Sequence, residues 1–207
     1  MDLRLYGITD ERFMGLKDIA EKVAAAIEGG VTVIQYRAKK KEAIDMYEEA
    51  LKVREITKKY HIPFIVNDRV DLAIAVGADG VHVGQKDLPV SVVRKMVGES
   101  FIVGLSTHNL LEVERADREN VNYIGFGPIF LTNTKEKPDP VVGTKLLKEA
   151  VSVSTHPVVA IGGINSDNIR EVLECKPAGV SVVRGIFQGD PYENAKKLRE
   201  IIDAEMG

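Results

Sequence analysis

Two aspartates, Asp68 and Asp87, each follow closely on a short apolar run. Carboxylates so placed are oxygen ligands for a divalent metal. The first lies in Val66-Asn67-Asp68-Arg69-Val70-Asp71, directly after the apolar run Ile62 to Val66. The second closes Gly77-Ala78-Asp79-Gly80-Val81-His82-Val83-Gly84-Gln85-Lys86-Asp87, after the run Gly80 to Val83. If both runs are parallel strands, both carboxylates emerge on one sheet edge, where Mg2+ would share its shell with substrate phosphates. The same positions serve equally well as helix caps, Asp68 for a helix starting near Arg69 and Asp87 for one starting at Pro89. The pair alone does not decide between these roles.

A second set, Gln35-Tyr36-Arg37-Ala38-Lys39, puts three polar side chains at alternate positions, which face one way on an extended chain. Arg37 and Lys39 then suit phosphate or pyrophosphate, arginine as a fork and lysine as a point charge. Lys40 and Lys41 follow, so a solvated charge run is the alternative. Gly125-Phe126-Gly127-Pro128-Ile129-Phe130 leads into Thr132-Asn133-Thr134-Lys135, two hydroxyls and an ammonium suited to anionic oxygens. The charged stretch after it reads as a disordered loop, and a mobile lid satisfies both readings. Gly162-Gly163 and Val183-Arg184-Gly185 are turns whose backbone N–H groups suit a phosphate, with tight turns alone as the alternative. His108 is a candidate general base. His82 lies within a strand and reads as a core histidine with satisfied hydrogen bonds. Cys175, the single cysteine, reads as structural. No zinc, haem, P-loop or nucleic-acid motif is present.

The elements that must position these residues alternate strictly. Strands are expected over Leu3–Thr9, Val31–Tyr36, Ile62–Val66, Gly80–Val83, Phe101–Leu105, Asn122–Gly125, Pro157–Ile161 and Gly179–Val183. Helices are expected over Gly15–Glu28, Lys40–Tyr60, Val70–Val76, Pro89–Val97, Leu110–Asp117, Lys145–Ser152, Ser166–Leu173 and Pro191–Ala204, the seventh capped by Ser166 or Asn165. A polar loop spans Pro128 to Gly143. Eight strand–helix units imply a (β/α)8 TIM barrel, formed as one domain over residues 1–207, with an open doubly wound sheet as the rival. In a barrel the residues just past each strand form the active site. Those positions here hold Gln35, Arg37, Lys39, Asn67, Asp68, Asp87, Ser106 and His108.

The 207 residues carry 28 basic and 31 acidic side chains. A net charge of -3 gives no general attraction to nucleic acid or to an anionic membrane. No apolar stretch approaches the roughly 20 residues of a membrane span. The lone cysteine and the absence of a signal-like start point to the cytoplasm.

Taken together the segments resemble the thiamine-phosphate synthase (thiamine-phosphate pyrophosphorylase) family. The match rests on Gln35-x-Arg37-x-Lys39, the Val66–Asp71 and Gly77–Asp87 segments, Gly104-x-Ser106, Gly125–Lys135 and Val159-Ala160-Ile161-Gly162-Gly163-Ile164. The resemblance implies joining of 4-amino-2-methyl-5-(diphosphooxymethyl)pyrimidine to a thiazole or carboxythiazole phosphate, with release of pyrophosphate by dissociative displacement. It implies Mg2+ on Asp68 and Asp87, assisted by Arg37, Lys39 and Asn67. Gln35 would contact the pyrimidine and Ser106 the pyrophosphate. Thr132, Thr134 and Lys135 would hold the thiazole substrate, and Gly163 with Val183 and Arg184 its phosphate. Arg37, Lys39, Ser106 and Lys135 would be the catalytic group, and the barrel would pair as a homodimer. Arg184 departs from the family, where serine is frequent, and Asn133 replaces a frequent proline. A thiazole tautomerase of the same superfamily, using His108, and a non-catalytic phosphate-binding barrel are the alternatives.

Overall fold

The structure, a computed structural model, describes residues 1–132 and 140–207. Eight parallel strands close into a barrel in sequence order. They are β1 (Leu5–Ile8), β2 (Val33–Tyr36), β3 (Phe64–Asn67), β4 (Gly80–Val83), β5 (Ile102–Thr107), β6 (Tyr123–Phe126), β7 (Val158–Ile161) and β8 (Gly179–Val182). The ring is sealed by β1 pairing with β8, with Tyr6 opposite Ser181. The helices between them are α1 (Ile19–Glu28), α2 (Ala43–Lys59), α3 (Val70–Ala75), α4 (Val90–Val97), α5 (Leu110–Ala116), α6 (Gly143–Val153) and α7 (Ile169–Leu173). The TIM barrel is thus observed, and the open sheet is excluded.

The chain ends differently from expectation. A short helix, α8 (Arg184–Phe187), stands between β8 and the closing helix α9 (Pro191–Met206). Its four residues follow β8 so closely that the pattern reads as a longer strand and a turn. Asp190 caps α9 by accepting the N–H groups of Tyr192 and Glu193, with Pro191 in the first turn. The expected cap of α7 is not observed. That helix begins at Ile169, and Asn165 and Asn168 use their side-chain oxygens on the loop, accepting the N–H groups of Asp167 and Asn165.

Strand alternation sorts side chains into two cores. On β2, Ile34 and Tyr36 point outward to the helices, while Val33 and Gln35 point inward. The outer core packs the sheet against stripes such as Ile19, Val23, Ala26 and Ile27 of α1, whose spacing puts them on one helical face. The inner core is small, with Tyr6, Ile8, Val33, Ile65, Tyr123 and Val159. It fills the lower barrel and forms the floor beneath the strand C-terminal ends.

Two glycines make room for that floor. A Cβ on Gly104 would lie 2.3 Å from Tyr123 Cζ and 2.4 Å from His82 Nδ1. A Cβ on Gly125 would lie 3.3 Å from His82 Cε1. Gly104→Ala is therefore expected to destabilise the fold by roughly 1–3 kcal/mol through overpacking. At about 2–4 °C per kcal/mol for a chain of this size, thermal unfolding should show a fall of several degrees. An unchanged midpoint would mean that the floor can yield.

Candidate active site

The strand C-terminal ends surround a cavity of about 360 Å³. Gln35, Arg37, Asn67, Ser106, Thr132, Gly163, Val183 and Arg184 all line it. Lys39, Asp68 and Asp87 form a charged cluster on the adjoining β2–β3–β4 rim. Thr134 and Lys135 lie outside the described residues.

The β2–α2 loop is held so that its alternation continues past the strand. Arg37 donates its N–H to Thr9 Oγ1 at 2.9 Å, and Glu11 accepts the N–H groups of Lys39 and Lys40 at 3.2 and 3.3 Å. Ala38 is buried between them. Arg37 therefore reaches the cavity and Lys39 the rim, where its ammonium pairs with Asp68 Oδ2. Asp10, 2% exposed, accepts a two-pronged bond from the Arg12 guanidinium and stands 3.8 Å from that of Arg37. Burial works to raise the Asp10 carboxyl, but its bonds from Arg12 outweigh that and hold it below the usual carboxylate range. Asp10 thus remains a fixed anion behind Arg37.

The capping reading of the two aspartates fails. The N-caps of α3 and α4 are Arg69 and Pro89, and neither helix takes a side-chain cap bond. Asp68 has a φ of 59°, a left-handed backbone that turns its carboxylate toward Lys39 rather than along α3. Asp87 Oδ2 accepts the Gly84 N–H at 2.7 Å, which folds the β4–α4 loop back on itself. Burial raises the Asp87 carboxyl, and the adjacent Asp68 carboxylate adds to the shift, against the Gly84 N–H and Lys39. Two carboxylates so close invite a cation between them. Among the described residues no group of three or more His, Cys, Asp or Glu side chains gathers at one point. A metal at this pair would take two oxygen-bearing side chains, leaving other positions for water and substrate. That set suits Mg2+, which keeps several waters and takes phosphate oxygens.

The opposite side of the mouth is built largely from backbone. Gly162 and Gly163 have φ of 106° and 67°, open to glycine and strained for other residues. A Cβ at Gly163 would lie 2.7 Å from Leu131 O, so the glycine lets the β6 and β7 loops touch. Next to it, α8 begins at Arg184, and the carbonyl of its N-cap Val183 accepts the N–H groups of Ile186 and Phe187. Arg184 itself is exposed at the cavity edge.

Several residues were not singled out by motif. Tyr6, Tyr123 and Ser181 line the cavity from within the barrel. Ser181 Oγ is buried and has no hydrogen-bond partner among the described residues. The available signal was a polar atom at an inward position of an otherwise apolar strand. His82 is buried with both ring nitrogens hydrogen-bonded, as expected of a core histidine, yet it also faces the cavity. His108 lines the cavity too, with Nδ1 2.9 Å from Glu112 Oε2.

Barrels that place cations, carboxylates and glycine turns at this end act on phosphorylated small molecules, and the fold and rim put the chain in that class. The family model described as thiamine monophosphate synthase matches residues 5–186, so the chain belongs to that family. It is 50% identical over 205 residues to the thiamine-phosphate synthase of Persephonella marina, covering 98% of this chain and 97% of the relative. It is 45% identical over 202 residues to thiamine-phosphate synthase 1 of Aquifex aeolicus, covering 98% and 92%. The solved thiamine phosphate pyrophosphorylase from Pyrococcus furiosus superposes with a TM-score of 0.90 at 39% identity, covering 100% of this chain and 98% of that one.

Proposed function

We propose that the chain is a transferase that condenses 4-amino-2-methyl-5-(diphosphooxymethyl)pyrimidine with a thiazole or carboxythiazole phosphate, giving thiamine phosphate and pyrophosphate. The observation that carries this reading is the meeting of Arg37 and Lys39 with Asp68 and Asp87 beside one cavity. A departing diphosphate needs its growing charge neutralised, and fixed cations in a partly enclosed mouth do so without reorganising.

The pyrimidine would lie over the barrel floor with its amino group at Gln35. Its diphosphate would extend toward Arg37, Asn67, Ser106 and Lys39. Asp68 and Asp87 would hold Mg2+, which when bound supplies positive charge to the leaving diphosphate. The methylene C–O bond breaks with its electron pair leaving on the diphosphate. The amino-pyrimidine ring shares the resulting positive charge, and the thiazole nitrogen lone pair then forms the new C–N bond. Thr132, Thr134 and Lys135 would hold the thiazole, with its phosphate at Gly163 and the Val183–Arg184 backbone. An inward Arg184 would add a positive charge there, compensating for the serine it replaces.

Among the described residues no helix is long and apolar enough to cross a membrane. The free Cys175 thiol and the slight negative charge support a cytoplasmic enzyme acting on small molecules rather than on nucleic acid, and the family resemblance supports a homodimer. The His108–Glu112 pair favours thiazole tautomerisation as the second reading. The test is to supply both substrates with Mg2+ and separate the products. Formation of thiamine phosphate is expected; exchange of thiazole tautomers without coupling would support the second reading instead.

A further inference from the structure

Five side chains from five strands form one line of hydrogen bonds across the barrel floor. Gln35 Nε2 donates to the Tyr6 hydroxyl at 2.8 Å. Tyr6 and Tyr123 hydroxyls are 2.7 Å apart, Tyr123 Oη is 3.0 Å from His82 Nδ1, and His82 Nε2 is 2.9 Å from Ser106 Oγ. Both tyrosines are 1% exposed. Burial raises both phenols, so they remain neutral hydroxyls with one proton each. The two ends of the line, Gln35 and Ser106, both line the cavity.

With Gln35 Nε2 facing Tyr6, counting protons gives the line a direction. An amide nitrogen only donates, and a buried hydroxyl proton needs an acceptor. With Gln35 donating to Tyr6, the Tyr6 proton goes to Tyr123, and the Tyr123 proton goes to His82 Nδ1. His82 then carries its proton on Nε2 and donates it to Ser106 Oγ, so the Ser106 proton is directed elsewhere, toward the cavity. The Gln35 carbonyl oxygen, not used on Tyr6, is the matching acceptor at the other end. Turning the Gln35 amide over would reverse every bond: Ser106 would give its proton to His82, and Gln35 would present N–H groups instead.

We propose that His82 is a positioning residue, held with its proton on Nε2 by the Gln35–Tyr6–Tyr123 line, so that the site offers an acceptor at Gln35 and a donor at Ser106. This deepens, and rests on, the substrate reading above. An aromatic amine needs an acceptor at one end, and a diphosphate oxygen needs a donor at the other. The line fixes both polarities at once and disfavours a ligand with an acceptor where the amine should be.

The test is a long-range proton–nitrogen NMR correlation on full-length protein labelled with 15N-histidine, without substrate or metal. The His82 signals are assigned by their loss in His82→Gln. A protonated Nε2 and a bare Nδ1 are expected; a protonated Nδ1 in the unaltered chain overturns the proposal. Tyr6→Phe and Tyr123→Phe keep the ring and remove a link. Each should redistribute the His82 proton toward Nδ1 and lower kcat by roughly tenfold or more, with a smaller change in KM. Unchanged His82 signals and kcat in both variants would also overturn it. If the Nε2 proton is found but no condensation occurs under any condition, the polarity stands and the substrate reading falls. The tautomer is therefore read independently of the reaction.

Discussion

Asp87→Asn should reduce turnover by roughly a thousandfold or more, the scale expected when a charge-stabilising group of the transition state is removed, while the protein stays folded. The structure separates these two effects. Asp87 supports its loop by accepting the Gly84 N–H. An asparagine side-chain oxygen can accept the same bond, so the loop keeps its shape. The carboxylate charge is lost, and with it half of the proposed metal anchor. Burial first, and then repulsion from Asp68, raise the Asp87 carboxyl, and losing the charge ends both costs. Thermal stability should therefore stay the same or rise slightly, a pattern opposite to damage by misfolding. Steady-state pyrophosphate release together with a thermal melt checks both halves. Near-native turnover in a folded Asp87→Asn protein would mean that Asp87 only shapes the loop.

Arg37→Gln is the second large effect, with kcat/KM expected to fall by roughly a hundredfold to a thousandfold, or about 3–4 kcal/mol of transition-state stabilisation. The side chain is mostly enclosed and reaches the cavity, and its backbone N–H is fixed by Thr9. Asp10 is already committed to Arg12 by a two-pronged bond and stands 3.8 Å from the Arg37 guanidinium. Arg37 is thus steadied from behind while its fork remains available to the diphosphate. Arg37→Lys should recover part of the loss, because it keeps the charge but not the planar two-pronged geometry. Equal activity of Arg37→Gln and the unaltered chain would remove Arg37 from the leaving-group site.

The barrel was legible because its physics is local. Each parallel strand is buried on both faces, so Phe64–Asn67 and Gly80–Val83 read as short apolar runs, and each helix carries its own apolar stripe. Residues after those runs had to land on one rim, which placed Arg37, Lys39, Asp68 and Asp87 together in advance. That Asp68 does not cap α3 was not legible. It depends on a left-handed backbone at one non-glycine residue, and spacing carries no trace of that. The floor was hidden for another reason. Tyr6 and Tyr123 are 117 positions apart and each looks like an ordinary strand aromatic. The contact of Tyr123 with His82 depends on Gly104, which leaves space for both rings. Single residues in the sequence do not announce a hydrogen-bond line assembled from five strands.

In the proposed reaction this rim neutralises a departing diphosphate with a metal held by Asp68 and Asp87. Pyrophosphate release from the full-length protein, with both substrates present and Mg2+ varied from chelated to saturating, tests it most directly. Release should be negligible with chelator, rise with Mg2+ to a plateau, and match thiamine phosphate formed mole for mole. Full-rate release in the presence of chelator, or release that Mg2+ does not change, would contradict the account.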